Sequence, residues 1–200
     1  MIDRWIRPWI DPTLARIARP AATIGISADA MTIAAGLLGI AAAVAIAFGY
    51  FSVALLLLIL NRLGDGVDGA VARLTRATDR GAFLDIALDF VVYAAVPLGF
   101  AAHTSANALP AALLLASFLA NGSAFLAFSA LAQKRGLTTA VQGQKSIYYL
   151  SGLAEGFETI VFMVAVCLFP AAFPALAGAF ALLCWLSAIA RLVLGWKLLS

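Results

Sequence analysis

Residues 61–89 read N-R-L-G-D-G-V-D-G-A-V-A-R-L-T-R-A-T-D-R-G-A-F-L-D-I-A-L-D, and the phase of their acidic side chains decides the fold. Laid on a helix at about 100° per residue, Asp65, Asp68, Gly69, Ala72 and Arg73 fall within about 140° of arc, and Gly81, Asp85 and Asp89 fall within about 80°. Each half is therefore a helix with one polar face. Residues 74–80 are expected to form the turn, so the helices run antiparallel and Asp68 and Asp85 meet at one depth, roughly 9 Å from it.

The sequence around this stretch is apolar. Of 200 residues, 64% are hydrophobic and only 12% charged, against about 25% charged in soluble domains, and the mean hydropathy is +1.02. A bilayer is the solvent such a composition suits. A span takes about 20 apolar residues, and stretches at 30–49, 51–74, 81–102, 108–132, 147–169 and 174–197 are each long enough. The expectation is an all-α polytopic membrane protein of six spans, preceded by an amphipathic helix. That helix is residues 1–20, where Trp5, Trp9, Ile6 and Ile10 mix with Arg4, Arg7, Arg16 and Arg19. It lacks the apolar core and cleavage site of a signal peptide, and it is expected to lie on the membrane surface, broken near Pro8 and Pro12. Residues 21–200 then form one six-span domain.

Charge orients the chain. The amino terminus, the stretch 62–80 and the stretch 134–145 carry eleven of the thirteen basic residues, and the turns near Gly49, His103 and Pro170 carry no lysine or arginine. By the positive-inside rule both termini and the 62–80 connection face the cytoplasm. The net charge of +3 is thereby explained by the membrane, and nucleic acid is not indicated. Cys167 and Cys184 lie in apolar runs without metal-ligand spacing and read as small packing residues.

Carboxylates at membrane depth demand a counter-charge. Insertion scales charge about 3 kcal/mol per aspartate at a span centre, on the order of 10 kcal/mol for four. An all-carboxylate set favours Mg²⁺ or Mn²⁺, and two such ions would balance Asp65, Asp68, Asp85 and Asp89. Gly64, Gly66 and Gly69 strip side chains from the same helix, which would let a phosphorylated ligand approach, and Arg73 offers a donor for phosphate. Simple pairing of these acids with Arg62, Arg73, Arg76 and Arg80 as loop charges would not require a common helical phase.

The run D-G-V-D-G-A-V-A-R, seven residues, then G-A-F-L-D-I-A-L-D resembles the signature of the CDP-alcohol phosphotransferase family, D-x-x-D-G-x-x-A-R-x(7 or 8)-G-x-x-x-D-x-x-x-D, at every fixed position. The resemblance implies that Asp65, Asp68 and Asp85 hold the metals, with Asp89 completing the set and acting as general base. Gly69 and Arg73 would contact the CDP moiety, with Thr78 and Gly81 beside them. It further implies a CDP-linked lipid donor, most plausibly CDP-diacylglycerol, a small alcohol acceptor, release of CMP in phospholipid synthesis, and a homodimer in a bacterial inner membrane. The family's Pro-Asn pair before a Thr in the first span is replaced by Ala28 and Asp29, with Thr32 retained. Asp29 could still accept from a cytosine amine, or it and Ser27 could simply cap the span.

Beyond the signature, the fifth span is expected to carry Glu155 and Glu158 on one face, with Lys145 before it and Arg191 on the sixth. These four are candidates for seating an anionic acceptor, against mutual pairing of the glutamates with Arg191 or Tyr148. His103 reads as an interfacial residue. A divalent-metal transporter using the same aspartates is the alternative function, and it should carry polar or broken-helix features through to the far side of the membrane, where these spans are almost purely apolar.

Overall fold

The computed structural model describes residues 3–136 and 154–199. Among them are seven α-helices and no strand: α1 (Asp3–Thr23), α2 (Ala28–Ala47), α3 (Phe51–Leu74), α4 (Asp79–His103), α5 (Ala108–Lys134), α6 (Gly156–Leu168) and α7 (Phe173–Leu199). Four of these, α2, α4, α5 and α7, are long and apolar enough to cross a membrane. Their outward side chains are apolar: Leu37, Leu98, Leu119 and Ile189 are all more than half exposed. Water would penalise that surface and lipid does not, so the bundle is a membrane protein.

α2 is the central strut. It packs along both α3 and α4, while α5 pairs with α7 and also meets α4. Small residues permit the close approach. A Cβ on Gly99 would come within 2.5 Å of the Ala43 carbonyl oxygen, and one on Gly122 would run into the Phe90 ring. The buried Asn61 on α3 donates from Nδ2 to the Ala35 carbonyl oxygen on α2 at 2.8 Å. At the end of the bundle remote from the aspartates, Phe51, Phe100 and Phe173 stack in series, with centroids 5.8 and 4.2 Å apart. His103 sits edge-on to Phe51 there. Both cysteines are free and buried in the apolar interior.

Three expected boundaries shift. α1 is continuous through Pro8 and Pro12, because each proline removes one i→i−4 bond without removing the rest of the turn. It docks through Leu14 and Ala18 onto Val67, Ala70 and Val71 of α3. The turn after α3 is shorter than residues 74–80. Thr78 caps α4, its Oγ1 accepting from the Gly81 amide at 3.0 Å, so Asp79 and Arg80 are already helical. Finally, 147–169 is not one uninterrupted helix: Ala154 and Glu155 are non-helical and α6 starts at Gly156.

Candidate active site

α3 and α4 are joined by Thr75–Thr78 and run antiparallel, with α2 bridging them, so the polar faces of α3 and α4 look into the same space. Asp65, Asp68 and Asp85 each place a carboxylate oxygen within 4.8 Å of the others. Asp68 is buried, Asp65 half-buried and Asp85 exposed, so the group opens to one side. Asp68 Oδ2 is buried and has no hydrogen-bond partner among the described residues. A buried carboxylate oxygen left this way is costly unless something cationic reaches it. That orphaned oxygen, within reach of two further carboxylates, fits a divalent ion with oxygen ligands.

Asp89 stands outside this group of three. Its Oδ1 accepts from Arg62 Nη2 at 2.8 Å and its Oδ2 accepts from the Tyr93 hydroxyl at 3.2 Å. Arg62 Nη1 also lies 3.8 Å from Asp65 Oδ2, and Arg62 Nε donates to Asn61 Oδ1 at 2.7 Å.

Two clefts open from the carboxylates. One, of about 150 Å³, is lined by Asp68 and Asp85 together with Asp29, Thr32, Gly69, Thr78 and Gly81, which are five of the six residues expected on the nucleotide side. Arg73, the sixth, does not line it; Arg73 Nη1 lies 3.5 Å from where a Cβ on Gly69 would stand. Arg76 lines the cleft instead. Asp29 is held by Arg80, while Ser27 caps α2 by accepting from the Ala30 amide at 3.2 Å. Of the three glycines expected to clear a path for phosphate, only Gly69 faces this cleft. Gly64 seats Ala35 of α2 and Gly66 seats Leu14 of α1, so those two serve helix packing.

The second cleft, of about 320 Å³, is lined by Asp89 and Tyr93 on α4, Asn121 on α5, and Glu155, Thr159 and Arg191. Arg191 Nη1 donates to Asn121 Oδ1 at 2.8 Å. Two of the four acceptor candidates are thus brought beside Asp89. Glu158 is not among the lining residues; it forms a capping box with Glu155, its side chain accepting from the Glu155 amide. The pair therefore flanks a helix start and does not share a face along a span. Lys145 and Tyr148 lie outside the described residues.

The family model for CDP-alcohol phosphatidyltransferases matches residues 25–194. The chain belongs to that family. It is 44% identical over 201 residues to inner membrane protein YnjF of Escherichia coli (strain K12), covering all of this chain and 98% of that one. In fold it is similar to the Mycobacterium tuberculosis phosphatidylinositol phosphate synthase PgsA1, solved with manganese and citrate (TM-score 0.73, 21% identity, 92% of this chain and 88% of that chain). It is likewise similar to the same synthase solved with CDP-DAG bound (TM-score 0.63, 21% identity, 92% and 90%). The chain is accordingly a membrane-embedded phosphotransferase of phospholipid biosynthesis, and the metal-transport alternative is left without support.

The phosphotransferase site holds residues that the sequence reading left outside it, Arg62 and Arg76 having entered there only as loop charges. Arg62 and Tyr93 hold Asp89, Asn61 holds Arg62, and Arg76 faces the nucleotide-side cleft. Arg62 was legible in principle, since it stands one turn before Asp65 within an apolar run.

Proposed function

We propose that the phosphotransferase moves a substituted phosphate from a CDP-activated lipid, CDP-diacylglycerol, to a small polar alcohol and releases CMP. The observation that carries this reading is that the two clefts meet the carboxylates from different sides, one at Asp68 and Asp85 and the other at Asp89. A nucleotide diphosphate and an alcohol brought in separately can then meet at one phosphorus.

Asp65, Asp68 and Asp85 would hold Mg²⁺ or Mn²⁺. Such an ion supplies charge neutralisation on the pyrophosphate and on departing CMP. Gly69 leaves the helix backbone open to the nucleotide, Thr32, Thr78 and Gly81 border it, and Arg76 adds a positive donor. Asp89 takes the proton of the attacking hydroxyl. The hydroxyl oxygen bonds to the phosphorus distal to the cytidine, the bond from that phosphorus to the bridging oxygen breaks, and CMP leaves with the electron pair. Arg191 and Glu155 position the acceptor beside Asp89, with Arg191 suited to an acceptor phosphate.

The site faces the cytoplasm of a bacterial inner membrane, a placement supported by the basic residues of 62–80. In this reading α3 and the segment ending in α6 complete six spans, residues 1–20 lie at the interface ahead of a 21–200 unit, and two copies associate as a homodimer.

The test is purified protein in lipid nanodiscs with CDP-diacylglycerol, Mn²⁺ or Mg²⁺ and a panel of alcohols and alcohol phosphates, following CMP. Release that requires both metal and one class of alcohol is expected. Release that needs neither overturns the mechanism.

A further inference from the structure

The wall of the second cleft is tied together by a polar circuit through α5, α7 and the start of α6. Asn121 on α5 is its junction. Its Oδ1 accepts from Arg191 Nη1 of α7 at 2.8 Å, and its backbone carbonyl oxygen accepts from the same nitrogen at 3.3 Å. Its Nδ2 donates to the Ala154 carbonyl oxygen at 3.4 Å. The Ala154 amide in turn donates to Ser187 Oγ at 2.8 Å, and Ser187 stands one turn before Arg191 on α7. Both backbone polar groups of Ala154, where the chain is not helical, are therefore met by side chains of α5 and α7. Non-helical backbone at membrane depth is tolerated when it is satisfied in this way beside a cavity, and Ala154, Glu155 and Gly156 all line the cleft.

The guanidinium is held in place by the same helix. Arg191 is only 6% exposed, and its Cζ lies 5.2 Å from the ring centroid of Phe125, one turn after Asn121. α5 is itself fixed in register against α4, because a Cβ on Gly122 would stand 2.4 Å from the Phe90 ring. Asn121 thereby faces the cleft that Asp89 also lines. Its amide orients Arg191 without adding a charge, whereas a carboxylate there would pair with the guanidinium and repel an incoming anion.

We propose that Asn121 is a positioning residue for acceptor selection. It fixes Arg191 and the chain before α6 as one unit, so that the cleft favours an alcohol carrying a phosphate over the same alcohol without one. The inference rests on the reading of the second cleft as the acceptor's. An arginine already ordered by a neutral partner and an aromatic ring loses less side-chain freedom when a phosphate arrives.

The test titrates the full chain in lipid nanodiscs with inorganic phosphate by calorimetry, without divalent metal so that no ion at the aspartates attracts the probe. Asn121→Asp keeps the shape and adds a charge, and lowers phosphate affinity by at least about tenfold. Asn121→Ala lowers it by about three- to tenfold, because a more loosely held Arg191 must be ordered on binding. On an Arg191→Ala background the same change has no further effect. A residue that served the fold alone would tolerate aspartate, which bonds a guanidinium more strongly than an amide does, and phosphate affinity would stay within about twofold. In CMP release with matched pairs of an alcohol and its phosphate, Asn121→Asp shifts the ratio of the two KM values by at least about tenfold against the phosphate. Asn121→Ala carries the test if the aspartate variant does not fold. Phosphate affinity retained in Asn121→Asp, equal losses from Asn121→Ala with and without Arg191, or a parent that binds no phosphate overturns the proposal. A parent whose phosphate binding responds to these variants but which releases no CMP sinks the functional reading alone.

Discussion

Nε and Nη2 of Arg80 both reach Asp29 Oδ2, at 2.8 and 2.5 Å, and so tie the start of α4 to the start of α2 at the nucleotide-side cleft. Asp29 stands where the family carries a polar residue near the nucleotide, and here its second oxygen remains against Gly81. The Arg80 side chain is 78% exposed, so solvent screening limits the pair to about 1 kcal/mol or less. Arg80→Ala is expected to raise the KM for the CDP-linked donor by roughly two- to fivefold, the range that energy allows, with kcat unchanged. Steady-state kinetics at saturating acceptor checks this, and a large fall in kcat would show that Arg80 does more than hold Asp29.

Gly81 has a sharper constraint. A Cβ at this position would stand 3.0 Å from Asp29 Oδ1 and 3.2 Å from Thr78 Oγ1. Both neighbours are held, Asp29 by Arg80 and Thr78 by its capping bond to the Gly81 amide. Gly81→Ala must displace one of them, and both line the cleft. Helix propensity alone would favour alanine by up to about 1 kcal/mol, so the protein should fold. The expected outcome is donor KM raised by roughly two- to tenfold with thermal stability preserved, since the neighbours must give by a few tenths of an ångström and positioning errors of that kind weaken a fitted site. A donor KM equal to the parent's would remove this glycine from the nucleotide side.

Much of this site was legible because membrane depth makes polar residues expensive. The phase of Asp65, Asp68, Asp85 and Asp89 has few explanations in a sequence this apolar, and the bundle places the first three together. The unread parts are those where pairing across helices overrides local pattern. Arg62 and Arg80 look alike as basic residues flanking acids, yet one is buried on Asp89 and the other exposed on Asp29. Gly64, Gly66 and Gly69 look like one open stripe, but which helix lies over each depends on how α1 and α2 dock. Glu155 and Glu158 are three apart, the spacing of a helix face and of a capping box alike, and only the non-helical backbone at Glu155 separates the two.

Asp68 is expected to dominate metal affinity. Its Oδ2 is buried with no partner among the described residues, and an amide in its place offers the cleft a neutral group of the same shape. Asp68→Asn should lower Mn²⁺ affinity by about 100-fold or more, the scale on which even outer-shell partners act, and turnover should fall with it. Asp89→Asn is expected to lower turnover by about 100- to 10,000-fold, the usual contribution of a positioned base. It should leave Mn²⁺ bound at Asp65, Asp68 and Asp85. A Mn²⁺ titration of both variants checks the division; loss of metal from Asp89→Asn equal to that from Asp68→Asn would make Asp89 a ligand.

Gly99 tests the packing that holds the site open. A Cβ there would meet the Ala43 carbonyl oxygen at 2.5 Å and the Ala43 carbonyl carbon at 3.2 Å. These are backbone atoms of α2, which no rotamer change can move aside. α2 also carries Thr32, Asp29 and the Ala35 carbonyl that anchors Asn61. Gly99→Ala should therefore cost about 1–3 kcal/mol, the usual effect of overpacking, seen as a lower midpoint of thermal unfolding in a mild detergent. Unchanged stability would mean that α2 and α4 can separate without cost.

Glu155 and Glu158 share a capping box, and of the two only Glu155 also lines the second cleft. Glu155 lines the second cleft with Asp89 and Arg191, while Glu158 does not line it and reaches back to the Glu155 amide. Glu158→Gln retains an acceptor for that amide, since Gln serves in capping boxes, so stability and acceptor kinetics should both stay near the parent's. Glu155→Gln removes a charge from the cleft wall and should change the KM for the alcohol by about fivefold or more, with Mn²⁺ affinity unaltered. Arg191→Ala should raise the KM most for an acceptor that carries a phosphate, because a guanidinium on the wall of this cleft is a donor suited to phosphate. Acceptor kinetics across alcohols with and without phosphate distinguish these outcomes, and Glu158→Gln shifting acceptor preference more than Glu155→Gln would reverse the assignment.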